Sequence, residues 1–452
     1  MGKLFGTDGV RGIANSELTP KLAFELGRAA AYVITKEKKS SAKIIIGMDT
    51  RISCSMLECA LIAGMCSVGT SVHTAGVVPT PAISFLVRKH GFDAGVVISA
   101  SHNPVADNGI KFFNSDGYKL SDALENEIED ILFNGEHLIP NPIGAEVGTK
   151  IVFEAASDDY VNDIVSVFDD RNVTFKGMKV ALDCANGATF RIAPLVFEKL
   201  GAEVLVINNT PDGININKDC GSTHMDALAQ FVKHSKADIG VAYDGDGDRC
   251  LVVDENGKLL DGDEIMSICG CYMKEKNMLK KNTIVATVMS NLGLFMMGEQ
   301  NSITIEQANV GDRYVLEKML DGGYSFGGEQ SGHIIFLDYN TTGDGLFASL
   351  MLISIMAEKN QKLSQLNSKM EVLPQVLVNA RVKPENKDTF ASVDEIKLEI
   401  TALEEKFNGQ GRVLIRPSGT ESLIRVMIEG RDTAVLHAEA SKLATLIENL
   451  LG

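Results

Sequence analysis

Short apolar runs alternate along this chain with longer stretches of helical periodicity, and many of the runs end in polar, glycine-bearing loops. Residues 43–47 read as a buried strand that leads into Asp49-Thr50-Arg51. A helix is expected before it, capped by Thr19 with Pro20 in its first position and running to about residue 35. Another is expected over 53–67. A strand at 71–75, the turn Pro79-Thr80-Pro81 and a helix to about residue 88 follow. The β-branched run 95–98 then breaks into Ser99-Ala100-Ser101-His102-Asn103-Pro104. Pro104 lacks an N–H and biases Asn103 away from helix, so the break is a tight loop.

The same order recurs twice. Strand 179–183 opens into Asn186-Gly187-Ala188, a helix covers about 190–200, and strand 203–207 follows. Strand 238–242 then enters Asp244-Gly245-Asp246-Gly247-Asp248-Arg249. In the third block, strand 283–288 opens into Ser290-Asn291-Leu292-Gly293, and strand 303–307 precedes Gly311-Asp312-Arg313. That block ends at Gly328-Glu329-Gln330-Ser331-Gly332-His333. Strand–helix alternation at this spacing predicts one α/β unit used three times, with largely parallel sheets covered by helices. Ligands of such sheets bind beyond the carboxyl ends of the strands.

The tail reads differently: strand 375–382, helix 393–407, strands 411–416 and 423–429, helix 433–450. That is a small α+β domain, with Leu373-Pro374 as its hinge and a further linker at Pro140-Asn141-Pro142-Ile143-Gly144. The expected division is 1–152, 153–254, 255–370 and 371–452. At 452 residues the chain exceeds one core, and about 150 residues per domain allows three or four.

The net charge of −17 argues against nucleic acid or an anionic membrane surface as partner. It also gives weight to arginines and lysines inside motifs, because an acidic protein that handles anions must gather its cations locally. The eight cysteines form no CxxC pair and sit mostly in apolar or strand-like surroundings, as thiols in a reducing cytosol do. No apolar run reaches a membrane-spanning length of about 18–20 residues. No leader-like segment precedes the first motif, so a cytoplasmic location is expected.

Four loops can carry chemistry. Ser101, at the end of a buried strand and beside His102, is placed as a nucleophile or phosphate carrier. Asp244, Asp246 and Asp248 alternate with glycine, so three carboxylates can converge on one hard cation. An EF-hand competes, with Glu255 at its twelfth position, but Arg249 stands where the sharp turn needs glycine and the flanks are strands. A phosphatase-type nucleophilic aspartate competes too, although it needs no serine loop. Arg416-Pro417-Ser418-Gly419-Thr420-Glu421, with Arg425, reads as a phosphate cradle of backbone N–H groups, hydroxyls and guanidinium forks. Glu329 and Ser331 suit vicinal sugar hydroxyls, and Lys111 and His333 are proton-carrier candidates.

These loops, together with Thr7-Asp8-Gly9-Val10-Arg11-Gly12 and in this order along the whole chain, resemble the α-D-phosphohexomutase family. Gln330 between Glu329 and Ser331 resembles the branch acting on glucosamine phosphates. The resemblance implies three related mixed-sheet α/β domains plus a smaller C-terminal α+β domain around a central active-site cleft. It implies phosphoserine at Ser101, with Arg11, His102 and Arg249 beside it. Mg²⁺ would be held by Asp244, Asp246, Asp248 and a phosphoserine oxygen. Glu329 and Ser331 would grip the sugar, while Arg416, Ser418, Gly419, Thr420 and Arg425 would hold the idle phosphate. Lys111 and His333 would be the acid/base pair.

The implied reaction moves phosphate between O6 and O1 of glucosamine through a glucosamine 1,6-bisphosphate, supplying UDP-N-acetylglucosamine and cell-wall synthesis. The expected partner is a small phosphosugar, with no nucleic acid and no membrane, and a homodimer stays open. A non-catalytic sugar-phosphate sensor using the same pocket is the rival reading.

Overall fold

The computed structural model describes residues 4–6, 8–36, 42–171, 173–387, 389–407, 409–418 and 422–452. Two compact units make up the chain: Met1–Met289 with Ile303–Lys369, and Ser290–Ser302 with Met370–Gly452.

The first unit holds three sheets. One contains β1 (Val10–Ile13), β2 (Lys43–Met48), β3 (Ser71–Val77), β4 (Ala94–Ile98), β5 (Asp107–Asn114) and β6 (Lys150–Val152), in the order β1-β5-β4-β2-β3-β6. The next contains β7 (Lys179–Asp183), β8 (Glu203–Ile207), β9 (Ile239–Tyr243), β10 (Cys250–Asp254) and β11 (Leu259–Leu260), ordered β11-β10-β9-β7-β8. The last, β12 (Thr283–Thr287), β13 (Thr304–Ala308), β14 (Phe326–Gly328) and β15 (Ile334–Phe336), is ordered β13-β12-β14-β15.

The repeat in the pattern is therefore a repeat of topology. Each sheet contains a parallel trio, β3-β2-β4, β8-β7-β9 and β13-β12-β14, and β6 adds a further parallel strand beside β3 in the first. Each of these trios ends in an antiparallel hairpin, β4–β5, β9–β10 and β14–β15. The serine, metal and sugar loops are the turns of those three hairpins, each leaving the carboxyl end of a parallel strand. The return strand of each hairpin is the difference from a largely parallel reading. β5 (Asp-Asn-Gly-Ile-Lys-Phe-Phe-Asn) has polar residues at both ends and little alternation, so its pairing with β4 decides its state.

Local signals behave as written in several places. Thr19 caps the helix Pro20–Thr35 by accepting the Leu22 N–H at 3.2 Å. The helix Gly262–Glu275, which the pattern alone does not predict, starts with a capping box between Asp261 and Glu264. Helix Pro20–Thr35 packs on helix Cys54–Cys66 through glycines. A Cβ on Gly64 would lie 2.2 Å from the Phe24 carbonyl oxygen, and one on Gly27 2.7 Å from that of Leu61.

The second unit carries an antiparallel sheet of β16 (Gln375–Arg381), β17 (Arg412–Pro417) and β18 (Leu423–Glu429), ordered β16-β18-β17. Helices Asp394–Phe407 and Thr433–Leu451 cover it, burying Ile396, Leu403, Leu436, Leu443 and Ile447 against Val376, Ile424 and Val426. Among the described residues no helix is long and apolar enough to cross a membrane. Six cysteines are buried, whereas Cys59 is exposed and Cys66 half-buried.

The glycine contact gives a stability prediction. Gly64→Ala forces the two helices apart, and overpacking of this kind costs about 1–3 kcal/mol. The thermal midpoint of the variant is expected several degrees below that of the parent; an unchanged midpoint contradicts the close approach.

Candidate active site

Ser101 sits in the β4–β5 turn with only 1% of its surface exposed. Its φ of +53° lies in the left-handed region, which a residue with a Cβ occupies only when its surroundings impose it. From there Oγ donates to Asp244 Oδ2 at 2.6 Å and lies 3.3 Å from His102 Nδ1. Gly245 makes the approach of the two loops possible, since a Cβ there would fall 2.5 Å from the Ser101 carbonyl oxygen.

The three aspartates of the β9–β10 turn are buried, and one carboxylate oxygen from each lies within 4.8 Å of the others. Asp244 uses both oxygens, accepting from Ser101 Oγ and from the Arg249 N–H at 3.2 Å. Asp246 Oδ2 accepts from Thr80 Oγ1 at 2.7 Å and from Lys111 Nζ at 2.8 Å. Asp246 Oδ1 and Asp248 Oδ1 are enclosed without a hydrogen-bond partner. Two orphaned anionic oxygens beside a third carboxylate are the donor set of a hard divalent cation. The residues present therefore fit a metal ion.

Lys111 stands on β5 opposite Val97 and is 1% exposed. Besides Asp246 it pairs with Asp8 Oδ2 at 3.0 Å and lies 3.7 Å from Asp248. Burial alone would lower its pKa, but Asp246, Asp8 and Asp248 outweigh that and raise it. Asp8 is also bound by Lys119 and Arg11, and Lys119 reaches on to Asp312. Against the effect of burial, Lys111, Lys119 and Arg11 hold the Asp8 carboxyl well below the usual range. Asp244 moves the other way, pushed up by burial and by the charges of Asp248 and Asp246.

His333, 1% exposed, places Nδ1 3.6 Å from Asp248 and Nε2 3.8 Å from Asp312. Nε2 also accepts the Gly343 N–H at 3.1 Å, which favours the tautomer with its proton on Nδ1. Burial opposes protonation of the ring, yet Asp248, Asp312 and Glu329 together raise its pKa. The metal and sugar loops are tied through their backbones, with the Cys250 N–H donating to the Gly332 carbonyl at 3.1 Å and a bridge between Arg249 and His333.

A cavity of about 410 Å³ opens on these groups, lined among others by Asp8, Arg11, Asp248, Arg249, Asp312 and Glu329. Glu329 Oε1 accepts the Gly311 N–H at 2.9 Å, and Ser331 Oγ lies 3.5 Å from Glu329 Oε2. Arg249 Nη1 is 3.2 Å from His102 Nδ1; burial, then Arg249 and Arg11, lower the pKa of that imidazole.

Thus Ser101, His102, Lys111, Arg249, His333 and the three aspartates come together, with Arg11 and Glu329 at the cavity and Ser331 beside Glu329. Asp8, Lys119 and Asp312 carry no role in the reading of the sequence. Asp8 and Asp312 lie in motifs named above, whereas Lys119 gives no signal. In the second unit, Arg416 and Arg425 are cross-strand partners on β17 and β18. Like charges directly opposite each other are unfavourable unless an anion joins them. Ser418, 3% exposed, donates its N–H to the Leu423 carbonyl at 2.8 Å. Gly419 and Thr420 lie outside the described residues.

A buried hydroxyl beside carboxylates that fit a cation, at a cavity carrying Arg11 and Arg249 on a repeated α/β scaffold, suits an enzyme of the phosphosugar mutase class. The comparisons agree. Segments 2–138, 158–257 and 261–373 match phosphoglucomutase/phosphomannomutase α/β/α domains I, II and III, and 377–446 matches the C-terminal domain. The chain belongs to the phosphoglucomutase/phosphomannomutase family. Over 451 residues it is 58% identical to the phosphoglucosamine mutase of Ruminiclostridium cellulolyticum, covering 100% of both chains. That of Acetivibrio thermocellus is 56% identical over 453 residues, again covering 100% of both. Among solved structures, a phosphoglucomutase/phosphomannomutase family protein from Burkholderia thailandensis superposes with a TM-score of 0.81 at 22% identity, covering 99% of this chain and 97% of that one. Aspergillus fumigatus N-acetylphosphoglucosamine mutase in complex with GlcNAc-6P and magnesium gives a TM-score of 0.72 at 18% identity, covering 99% and 96%.

A ligand that binds only the folded chain raises stability by about 2.7 kcal/mol at a hundred times its dissociation constant. Magnesium or manganese chloride is therefore expected to raise the thermal midpoint by several degrees, reversibly with EDTA. Asp246→Asn should lose most of that rise. An equal rise in both proteins contradicts the assignment of the orphaned oxygens.

Proposed function

We propose that this chain catalyses the phosphoglucosamine mutase reaction, an isomerisation that moves a phosphoryl group between O6 and O1 of glucosamine. The full-length identity of 58% to a relative of that name carries the reading. The buried Ser101 hydroxyl, 2.6 Å from Asp244, supports its chemistry.

Ser101 is the carrier. In one half-reaction O1 of glucosamine 6-phosphate attacks the phosphorus of phosphoserine 101; the new P–O1 bond forms as the P–Oγ bond breaks. The O1 proton passes to a base, and glucosamine 1,6-bisphosphate results. The bisphosphate turns end over end. Ser101 Oγ then attacks the phosphorus on O6, and O6 leaves with a proton to complete glucosamine 1-phosphate. Lys111 and His333 are the candidates to move those protons.

Asp244, Asp246 and Asp248 would hold Mg²⁺ together with a phosphoserine oxygen, a reading supported by their convergence within 4.8 Å. When bound, the ion offsets charge on the transferring group. Arg11, His102 and Arg249 border the phosphoserine. Glu329 and Ser331 orient the sugar, and their spacing suits vicinal hydroxyls. Arg416, Ser418, Gly419, Thr420 and Arg425 form the cradle of the non-reacting phosphate, which is supported by two arginines at directly opposed positions of β17 and β18. The same reading fits a cytoplasmic enzyme whose product feeds UDP-N-acetylglucosamine and cell-wall synthesis, and it leaves a homodimer open.

Ser101→Ala is expected to lower mutase turnover by about 10³-fold or more with an unchanged circular dichroism spectrum. Turnover near the parent rate overturns the carrier role. Arg416→Ala should raise KM for glucosamine 6-phosphate by about tenfold or more and alter kcat far less, as loss of uniform binding does. An unchanged KM with a fallen kcat removes the cradle assignment.

A further inference from the structure

Asp49-Thr50-Arg51 directly follows β2 and touches none of the groups assigned to substrate above. The Arg51 side chain is wholly enclosed and pairs with Asp49, Nε to Oδ2 at 2.9 Å. Charge balance would need no more than this. Yet Nη2 donates to the carbonyl oxygens of Ser101 at 3.0 Å and Asn103 at 2.8 Å. Nη1 donates to those of Pro104 and, at 3.1 Å, Asp107. With the bond to Asp49, all five N–H donors of the guanidinium are used, four of them on one loop.

Asp49 continues the chain of contacts. Its Oδ2 accepts the Ser99 hydroxyl at 2.6 Å, and Ser99 Oγ accepts the Ser101 backbone N–H at 2.9 Å. Ser101 is thus gripped on both sides of its Cα: the N–H through Ser99 and Asp49, the carbonyl by Arg51 and by Asn217 Nδ2 at 2.8 Å. That grip falls on a residue held at φ +53°, a conformation unfavourable for an L-residue when nothing imposes it.

We propose that Arg51 is a positioning residue for phosphoryl transfer: by binding four carbonyls of the 101–107 loop it keeps Ser101 in the left-handed conformation that aims Oγ at Asp244. The proposal rests on Ser101 being the phosphoryl carrier. Lysine at position 51 would preserve the charge facing Asp49. It presents a compact point of three donors, however, and cannot span four carbonyls as the planar fork does.

The test uses the full-length enzyme. Arg51→Lys is expected to keep its thermal midpoint within a few degrees and its KM within about twofold, while kcat falls by about tenfold or more. Phosphorylation of Ser101 by glucose 1,6-bisphosphate, followed by intact mass, should slow by a similar factor. A lowered midpoint with parental kcat per folded molecule, or no change in kcat, overturns the proposal. If Arg51→Lys does not fold, Ser99→Ala carries the test: kcat should fall several-fold at unchanged KM and midpoint, and parental kcat overturns it. Ser101→Ala, assayed alongside, separates the two readings. If it is inactive while Arg51→Lys and Ser99→Ala are parental, only the positioning role fails. If it turns over normally, the carrier reading fails and the positioning role falls with it.

Discussion

Three carboxylates confined to one water-poor turn repel each other, and much of the surrounding structure balances that repulsion. Asp244, Asp246 and Asp248 are at most 4% exposed. Three buried like charges on one short turn are tolerable only with cations close by. Lys111 from β5 and Arg249 from the same turn supply part of that balance, with His333 Nδ1 3.6 Å from Asp248. The two orphaned carboxylate oxygens fit a divalent ion that would supply more. Asp8 and Asp312 extend the network outward through Lys119, so opposite charges alternate from the metal loop to the cavity rim.

Such a network can be assembled because the same topology is used three times. Each sheet ends its parallel strands at a hairpin, and each hairpin turn presents one reactive group: a hydroxyl, a carboxylate cluster, or a glutamate with a histidine. The hairpin form matters physically. A return strand fixes both ends of the turn by ladder hydrogen bonds, so a buried polar side chain on it can be held without the mobility of a long loop. The β5 strand also delivers Lys111, which no loop of the β4–β5 turn could place against Asp246.

In the proposed reaction, the groups that make and break P–O bonds belong to the unit of three sheets, where burial and left-handed backbone geometry set the serine in place. The paired arginines of β17 and β18 belong to the second unit, whose antiparallel sheet has its own core. The proposed grip on a phosphate that does not react calls on charge and N–H donors, and Arg425 is exposed.

Much of this was legible in the chain. Strand–helix alternation pointed to the repeated α/β units, and glycine-alternating aspartates, a serine at a strand end and an arginine-rich hairpin pointed to the loops. These signals are local: periodicity, turn residues and the spacing of like groups are set by neighbours in sequence. The return strands were not legible, because short mixed-polarity segments become strands only through the partner they pair with. Lys111 was a proton-carrier candidate, but its pairing with Asp8 and Asp246 forms only when β5 is folded, and Lys119 reads as a surface lysine until the segment after β5 meets Asp8 and Asp312. Arg51 was visible only as a charge after a strand. That its guanidinium holds the serine loop depends on contacts more than 50 residues apart, such as the one to Pro104, and only the packed tertiary structure brings those carbonyls into its reach.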